Sequence, residues 1–103
     1  MNVYINDKEL LKLYESGRSK KLRLPENVID KFFATIQKIE SATTIYDFWN
    51  DKSLNFEKLK GFKKRYSMRL TIKFRLEIEV TWKNAEQTIG EFSILEISSH
   101  YGD

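Results

Sequence analysis

The stretch RYSMRLTIKFRLEIEV, residues 65–80, decides the fold of this chain. Apolar side chains occupy every second position from Tyr66 to Val80, which is the period of a β-strand with one buried face. A single strand of that length would span about 50 Å, whereas a domain of about 100 residues has a radius of gyration near 13 Å. The stretch is therefore predicted to fold back on itself as a hairpin.

The alternation of side chains restricts the number of residues in the turn of this hairpin. Side chains that face each other across a hairpin share one face of the sheet, so unbroken alternation requires an odd number of loop residues. A three-residue loop at residues 71–73 places Leu70 opposite Phe74. In the same register Arg69 lies opposite Arg75, and like charges in directly opposed positions destabilise a sheet. An anion between the two guanidinium groups would offset the repulsion, so the register predicts an anion site.

Basic residues are concentrated around this hairpin. Eight of them lie between positions 58 and 75 without any acidic residue, although the whole chain has a net charge of only +3. Clustering of this kind favours a polyanionic partner, and a solvated sheet face is the simpler alternative. Besides the two arginines, the candidate residues of this run for binding a polyanion such as RNA are Lys58, Lys63, Lys64, Arg65 and Lys73.

The N-terminal half of the chain predicts helices. Asp7 and Gly17 are suited to cap a short helix between them, and Pro25 suits the first turn of a longer one. Apolar residues at helical spacing form one stripe along that longer helix, at Val28, Ile29, Phe32, Phe33, Ile36 and Ile39. A short amphipathic segment, TTIYDFWND (43–51), follows.

The C-terminal part predicts a second hairpin, with KNAEQ (83–87) as its turn and TIGEFSILEIS (88–98) as the returning strand. The mixed apolar pattern of this strand is typical of a strand buried on both faces. Together with a short N-terminal strand, these elements predict an α+β fold in which N-terminal helices pack on a twisted antiparallel β-sheet.

Length and composition limit the classes of protein. At 103 residues the chain is expected to form a single domain, residues 1–103. It contains no cysteine, and no apolar run is long enough to span a membrane, so we expect a cytoplasmic protein without disulfides. One histidine and scattered carboxylates form no ligand cluster, so neither a metal nor another cofactor is expected.

Candidate catalytic groups are few. His100, the only histidine, is followed by Tyr101 close to the C-terminus. Histidine is the side chain best suited to move protons near neutral pH. A single terminal histidine is also commonly an exposed residue without a role, and the sequence leaves both interpretations open.

The chain resembles the HigB-type toxins of the RelE/ParE superfamily, the plasmid-maintenance killer proteins. The similar stretches are LLKLYESGRSKKL, IESATTIYDFWN, LNFEKLKGFKKRYSMRL, KFRLEIEV and EISSHY. The resemblance implies a compact fold with helices against a twisted antiparallel sheet. It also implies a metal-independent endoribonuclease, an mRNA interferase that acts on ribosome-bound mRNA and is inhibited by a helix-turn-helix antitoxin of the HigA type.

The resemblance also implies roles for individual residues. In such toxins the lysine of the LKG motif and an arginine from each of the next two strands line the RNA site, which points to Lys60, Arg69 and Arg75. The implied catalytic set is completed by His100 as acid or base and Tyr101 as its neighbour. Many members carry histidine three residues before the lysine and end in Asp-Tyr-His. This chain has glutamate at the first place and Ser-His-Tyr, residues 99–101, at the second.

Two other functions are compatible with the sequence. One is a non-enzymatic poison of the same fold, as in the gyrase-inhibiting ParE branch, and the other is a basic RNA-binding module without catalysis. The opposed arginines and the terminal His-Tyr pair favour the nuclease, because a protein-binding poison has no use for a phosphate-binding pair.

Overall fold

The structure, a computed structural model, describes residues 1–99, and within that range five strands form one sheet. The strands are β1 (Val3–Ile5), β2 (Glu57–Lys58), β3 (Arg65–Arg69), β4 (Phe74–Trp82) and β5 (Gly90–Ser99). Their order across the sheet is β1-β5-β4-β3-β2. Strands β2 to β5 pair antiparallel, whereas β1 pairs parallel with β5. The predicted α+β class is confirmed, and the parallel edge strand makes the sheet mixed.

The first helix forms where its caps predict it. Helix α1 (Lys8–Ser16) begins after Asp7, whose carboxylate accepts hydrogen bonds from the backbone amides of Glu9 and Leu10. It ends at Gly17, which has a positive φ of 76° and donates its amide to a carbonyl of the last turn. Glycine adopts this left-handed conformation without the steric cost that other residues incur.

Two further helices complete this layer. Helix α2 (Glu26–Ser41) begins directly after Pro25, as predicted, and buries one side of its apolar stripe. Helix α3 (Tyr46–Trp49) lies within the predicted amphipathic segment and buries Phe48. None of the helices in residues 1–99 has the length and apolar character that crossing a bilayer requires.

The helices pack on one face of the sheet. The core consists of alternate strand residues and the apolar sides of the helices, including Leu10, Leu13, Val28, Phe32, Ile36, Ile39, Met68, Leu76, Ile78, Val80, Phe92 and Ile94. Burial of apolar surface stabilises a fold by about 25 cal/mol per Å². The opposite face, called the open face below, carries Arg65, Ser67, Arg69, Arg75, Glu77 and Glu79.

The β3–β4 hairpin has the register that alternation predicts. Arg69 lies opposite Arg75. The amide of Leu70 donates to the carbonyl of Phe74 over 3.0 Å, which closes the loop at residues 71–73. The prediction of a three-residue loop is therefore confirmed, and with it the juxtaposition of the two arginines.

Strand β5 differs from its prediction. Ile94 pairs with Ile78 and Glu96 pairs with Glu77, so Leu95 is an extra residue at a β-bulge. A bulge shifts the alternation of side chains by one residue. The expectation that this strand is buried on both faces is wrong. The bulge leaves Leu95 and Glu96 both on the open face and returns Ile97 to the core face, which produces the mixed pattern.

Candidate functional site

The two opposed arginines line a small cavity on the open face. Arg69 contributes from the end of β3 and Arg75 from the start of β4. The cavity has a volume of about 40 Å³ and is also lined by Asn55, Glu57, Ser67, Thr71, Ile72 and Phe74. A single water needs roughly 10–15 Å³ by this measure, so the space suits a phosphate group and not a whole nucleoside.

Arg75 is held in place by neighbours on the open face. Its Nε donates to Ser98 Oγ over 3.4 Å and lies 3.9 Å from Glu77 Oε2. Both contacts use Nε, so within residues 1–99 they leave the terminal amino groups of Arg75 available to a ligand. Arg75 is therefore oriented before any anion binds.

Glu77 is a buried carboxylate shared between two arginines. The residue is 8% exposed although it lies on the open face. Its Oε1 is 3.7 Å from Arg65 Nε, and its other oxygen faces Arg75. A buried carboxylate needs such partners, because desolvation of an unpaired charge is very unfavourable. Its negative charge also offsets part of the repulsion between Arg75 and Arg69.

Arg69 differs from Arg75, the residue that lies opposite it on β4, in having fewer contacts within residues 1–99. It is exposed, and no carboxylate within residues 1–99 lies within ion-pair distance of its guanidinium group. Its five N–H donors can therefore turn towards a bound anion. The pair thus combines one oriented arginine with one that has no ion-pair partner in the described part of the chain.

Glu57 is the acidic residue of this cavity, and the sequence assigns it no role. It lies in β2, directly opposite Ser67, and therefore shares the open face with the two arginines. Strand β2 has only two residues and no apolar alternation, so the sequence predicts no strand there. The one signal for Glu57 is its position three residues before Lys60, where many HigB-type toxins carry histidine. A carboxylate beside two guanidinium groups can accept a proton from a bound hydroxyl group.

Two predicted lysines lie away from the arginine pair. Lys58 pairs with Tyr66, whose side chain is in the core, so its position in the ladder faces the helices. Lys60 lies in the turn after β2, next to the start of β3. From there to Arg69 is roughly 15 Å along the strand. The structure therefore does not bring Lys60 into the cavity.

The other predicted RNA-binding residues lie at two ends of the hairpin. Lys63, Lys64 and Arg65 line an open cleft where β3 begins. Lys73 lies in the hairpin loop beside the exposed Ile72. The predicted catalytic residues His100 and Tyr101 lie outside the described residues, and Ser99, the last described residue, pairs with Phe74.

The segment that leads into β2 is fixed by Asp51. This carboxylate caps the 3₁₀ turn Lys52–Leu54 by accepting from the amide and hydroxyl of Ser53, and it accepts from Lys38 Nζ of α2 over 2.9 Å. The hydrogen bonds from Ser53, followed by the contact with Lys38, lower the pKa of Asp51. The turn ends at Asn55, in left-handed conformation with φ 44°, which lines the arginine cavity.

Comparisons with known proteins identify the fold. No family model matches the chain, and no curated protein matches it. Among solved structures, the YoeB/ParE toxin from Agrobacterium tumefaciens superposes with a TM-score of 0.60 over 98% of this chain and 100% of that chain. The chain has the fold of this toxin. The sequence identity of 17% makes this a likeness of fold.

Proposed function

We propose that this chain is the toxin of a type II toxin–antitoxin system and an endoribonuclease that cleaves ribosome-bound mRNA. The observation that carries the proposal is the cavity of phosphate size between Arg69 and Arg75, with the carboxylate of Glu57 in its wall. The likeness in fold to a YoeB/ParE toxin supports the toxin assignment. The HigB-type assignment rests on the sequence motifs.

Cleavage begins with attack of a ribose 2′-hydroxyl on the adjacent phosphorus. In this scheme Glu57 accepts the proton of the hydroxyl group while the new bond from 2′-oxygen to phosphorus forms. The bond from phosphorus to the 5′-oxygen then breaks. The products are a 2′,3′-cyclic phosphate and a 5′-hydroxyl, so this step consumes no water.

The arginines stabilise the charge that develops on the phosphate. The phosphorane carries more negative charge than the substrate, and donors that are oriented in advance lower its energy most. Arg75 meets this requirement through its contacts with Ser98 and Glu77. Arg69 binds the same phosphate from the opposite strand, and a guanidinium group can contact two non-bridging oxygens at once.

The leaving 5′-oxygen requires a proton donor. With Glu57 as the base, His100 is assigned as the donor, because residues 1–99 contain no other histidine. Tyr101 stacks on a base or assists the proton transfer. Lys60 and the other basic residues near the start of β3 bind the RNA backbone outside the cavity. These assignments extend the roles that the HigB resemblance implies.

Toxin activity implies an inhibitor and a cellular setting. We propose that a neighbouring gene encodes a helix-turn-helix antitoxin of the HigA type, which binds the toxin and prevents access to mRNA. The substrate is translated mRNA, so the toxin acts in the cytoplasm and at the ribosome.

Controlled expression tests this proposal. Induction of the chain alone in a bacterium is expected to arrest growth, and co-expression of the antitoxin is expected to restore it. Mapping of new 5′-ends in mRNA should show cleavage within translated regions. The matched control is Glu57→Gln, which removes the proposed base without changing the size of the side chain.

Two outcomes would favour the alternative functions. Growth arrest with intact mRNA and trapped gyrase–DNA complexes would identify a ParE-like poison. RNA binding without either growth arrest or cleavage would identify a non-catalytic RNA-binding module.

A further inference from the structure

A second cleft lies on the open face, at the end of β3 remote from the hairpin loop. It has a volume of about 490 Å³ and is lined by Phe62, Lys63, Lys64, Arg65, Glu79 and Leu95. Clefts of roughly 300–1,000 Å³ are typical of sites for small organic ligands. This one combines an aromatic ring, an aliphatic side chain and three cations.

Phe62 presents its ring to this cleft as an exposed surface. The residue is 50% exposed, and the guanidinium carbon of Arg65 lies 4.6 Å from the ring centroid. Arg65 is itself held by the buried carboxylate of Glu77. A contact of this kind between a cation and the face of an aromatic ring is favourable. Arg65 therefore holds the ring of Phe62 in place from one side.

The loop that carries Phe62 is also fixed at both ends. The amide of Leu59 donates to the carbonyl of Arg65, and the amide of Val80 donates to the carbonyl of Lys64, each over 2.9 Å. Gly61 has a positive φ of 85°, which allows the tight turn before Phe62. The loop thus offers a pre-formed surface. Binding of a ligand therefore does not incur the entropy cost of ordering the loop.

Leu95 supplies the apolar floor of the cleft. It follows Ile94, which faces the core, so alternation along β5 places its side chain on the open face among polar neighbours. The cleft therefore has an apolar floor and basic walls, which is the chemistry that suits a nucleobase and its phosphate.

We propose that this cleft binds a single nucleotide of the RNA, on one side of the cleavage position. The base stacks on Phe62 over Leu95, and Lys63 and Lys64 contact the flanking phosphates. Arg65 lies about 13 Å along β3 from Arg69, so a short single strand reaches both sites. Base stacking on aromatic side chains with basic residues alongside is a general mode of single-strand binding. The inference rests on the proposed function and adds a second contact for the substrate.

Glu79 gives this nucleotide site a base preference. It lies at the edge of the cleft and forms no ion pair with any residue in the range 1–99. A carboxylate accepts hydrogen bonds from exocyclic amino groups, as Glu and Asp do from cytosine. Adenine, cytosine and guanine carry such a group and uracil does not. We therefore expect uracil to be the least favoured base here.

Binding of short single-stranded RNA tests the proposal. The probe is a fluorescent oligoribonucleotide with deoxyribose at the cleavage position, so that it binds without being cut. Phe62→Leu keeps an apolar side chain but removes the aromatic face, and is expected to weaken binding about 5- to 100-fold. Phe62→Trp keeps the face and is expected to bind at least as tightly as wild type. Tyr46→Leu, at an exposed aromatic residue of α3, is the matched control and should bind as wild type does.

Replacement of the flanking base tests the specificity. Wild type is expected to bind the uracil-containing probe most weakly among the four, and Glu79→Gln is expected to reduce that difference. Equal binding of Phe62→Leu and wild type would overturn the proposal while leaving the cleavage site intact. Loss of antitoxin binding without loss of RNA binding in Phe62→Leu would also overturn it, because the cleft would then be a protein interface. A wild-type protein that does not bind the free probe would overturn the nucleotide site, whereas the proposed function is tested separately by cleavage of ribosome-bound mRNA.

Discussion

Arg69 and Arg75 lie directly opposite each other on β3 and β4, on the face of the sheet that the helices leave uncovered. Two like charges at such positions are unfavourable for a sheet by a few tenths of a kcal/mol to about 1 kcal/mol. Glu77 neutralises only the Arg75 side of the pair. The arrangement is explained if the pair is completed by an anion, and the cavity between them has room for one phosphate.

Glu77→Gln tests whether this carboxylate positions Arg75. The substitution removes the charge that orients Arg75 Nε and should lower kcat for mRNA cleavage about 10-fold or more, with a smaller effect on KM. It should also destabilise the protein by about 1–3 kcal/mol, because Arg65 and Arg75 lose a charged partner. Kinetics on ribosome-bound mRNA and urea unfolding measure the two effects.

Glu96→Gln is the matched control for that variant. Glu96 lies directly opposite Glu77 on β5 and is exposed, so its loss removes a like-charge contact and should leave stability unchanged or slightly higher. Equal cleavage rates in Glu77→Gln and wild type would show that Arg75 does not need this support.

Glu57→Gln tests the assignment of the base. Loss of a general base lowers the rate of a chemical step by about 10²–10⁴-fold. Because Glu57 is exposed and forms no ion pair within the described range, folding stability should change by less than about 0.5 kcal/mol. Affinity for uncut RNA should stay the same or rise, since a negative charge has been removed. A variant that cleaves at the wild-type rate would exclude Glu57 as the base.

The salt dependence of RNA binding tests the basic surface. Removal of one phosphate contact to a single strand should lower the slope of log K against log salt by about 0.7. Lys63→Ala and Lys64→Ala are each expected to do this, and Lys8→Ala, at an exposed lysine of α1, is not. Binding measured between low and physiological salt gives the slopes. Identical slopes in all four proteins would mean that these lysines do not contact phosphates.

Asp51→Asn tests the segment that carries Asn55 and Glu57 into the site. Since the pKa of Asp51 is lowered by Ser53 and Lys38, its contribution to stability is present above the unfolded pKa, near 3.9. That contribution is lost as the pH falls below this value. The variant should be less stable than wild type by up to about 1 kcal/mol at pH 7. The difference should shrink as the pH falls below the unfolded pKa and should disappear only below the lowered pKa of Asp51 in the folded protein.

Thermal or urea unfolding of both proteins across this pH range provides the measurement. Asp30→Asn, at an exposed carboxylate of α2, is the control and should show no such pH-dependent difference. A difference that persists at low pH would indicate that the charge of Asp51 is not its source.

The sequence predicts those parts of the fold that depend on local signals. The alternation of apolar side chains and the odd number of loop residues can both be read from one continuous stretch. Together they determine the β3–β4 register and place Arg69 opposite Arg75. The caps of α1, Asp7 and Gly17, are equally local. These features were predictable because no distant residue has to be known.

Features that depend on distant partners were not predictable. Strand β2 exists because it pairs with β3, and its two residues carry no pattern of their own, so Glu57 could not be placed in the cavity. Glu77 occupies a polar position of an alternating strand, which predicts exposure, but the side chains of Arg65 and Arg75 approach it. The bulge at Leu95 likewise follows from the pairing of β5 with β4.

Arg69→Gln tests the central claim most directly. Within residues 1–99 Arg69 has no ion-pair partner to lose, and its replacement relieves the repulsion with Arg75, so the melting temperature should be unchanged or slightly higher. Cleavage of ribosome-bound mRNA should fall about 10²–10³-fold, as when one donor to a developing oxyanion is removed. Arg23→Gln, at an exposed arginine before α2, should match wild type in both measurements. A stable Arg69→Gln protein that does not cleave would support the anion site, whereas one that cleaves as fast as wild type would contradict it.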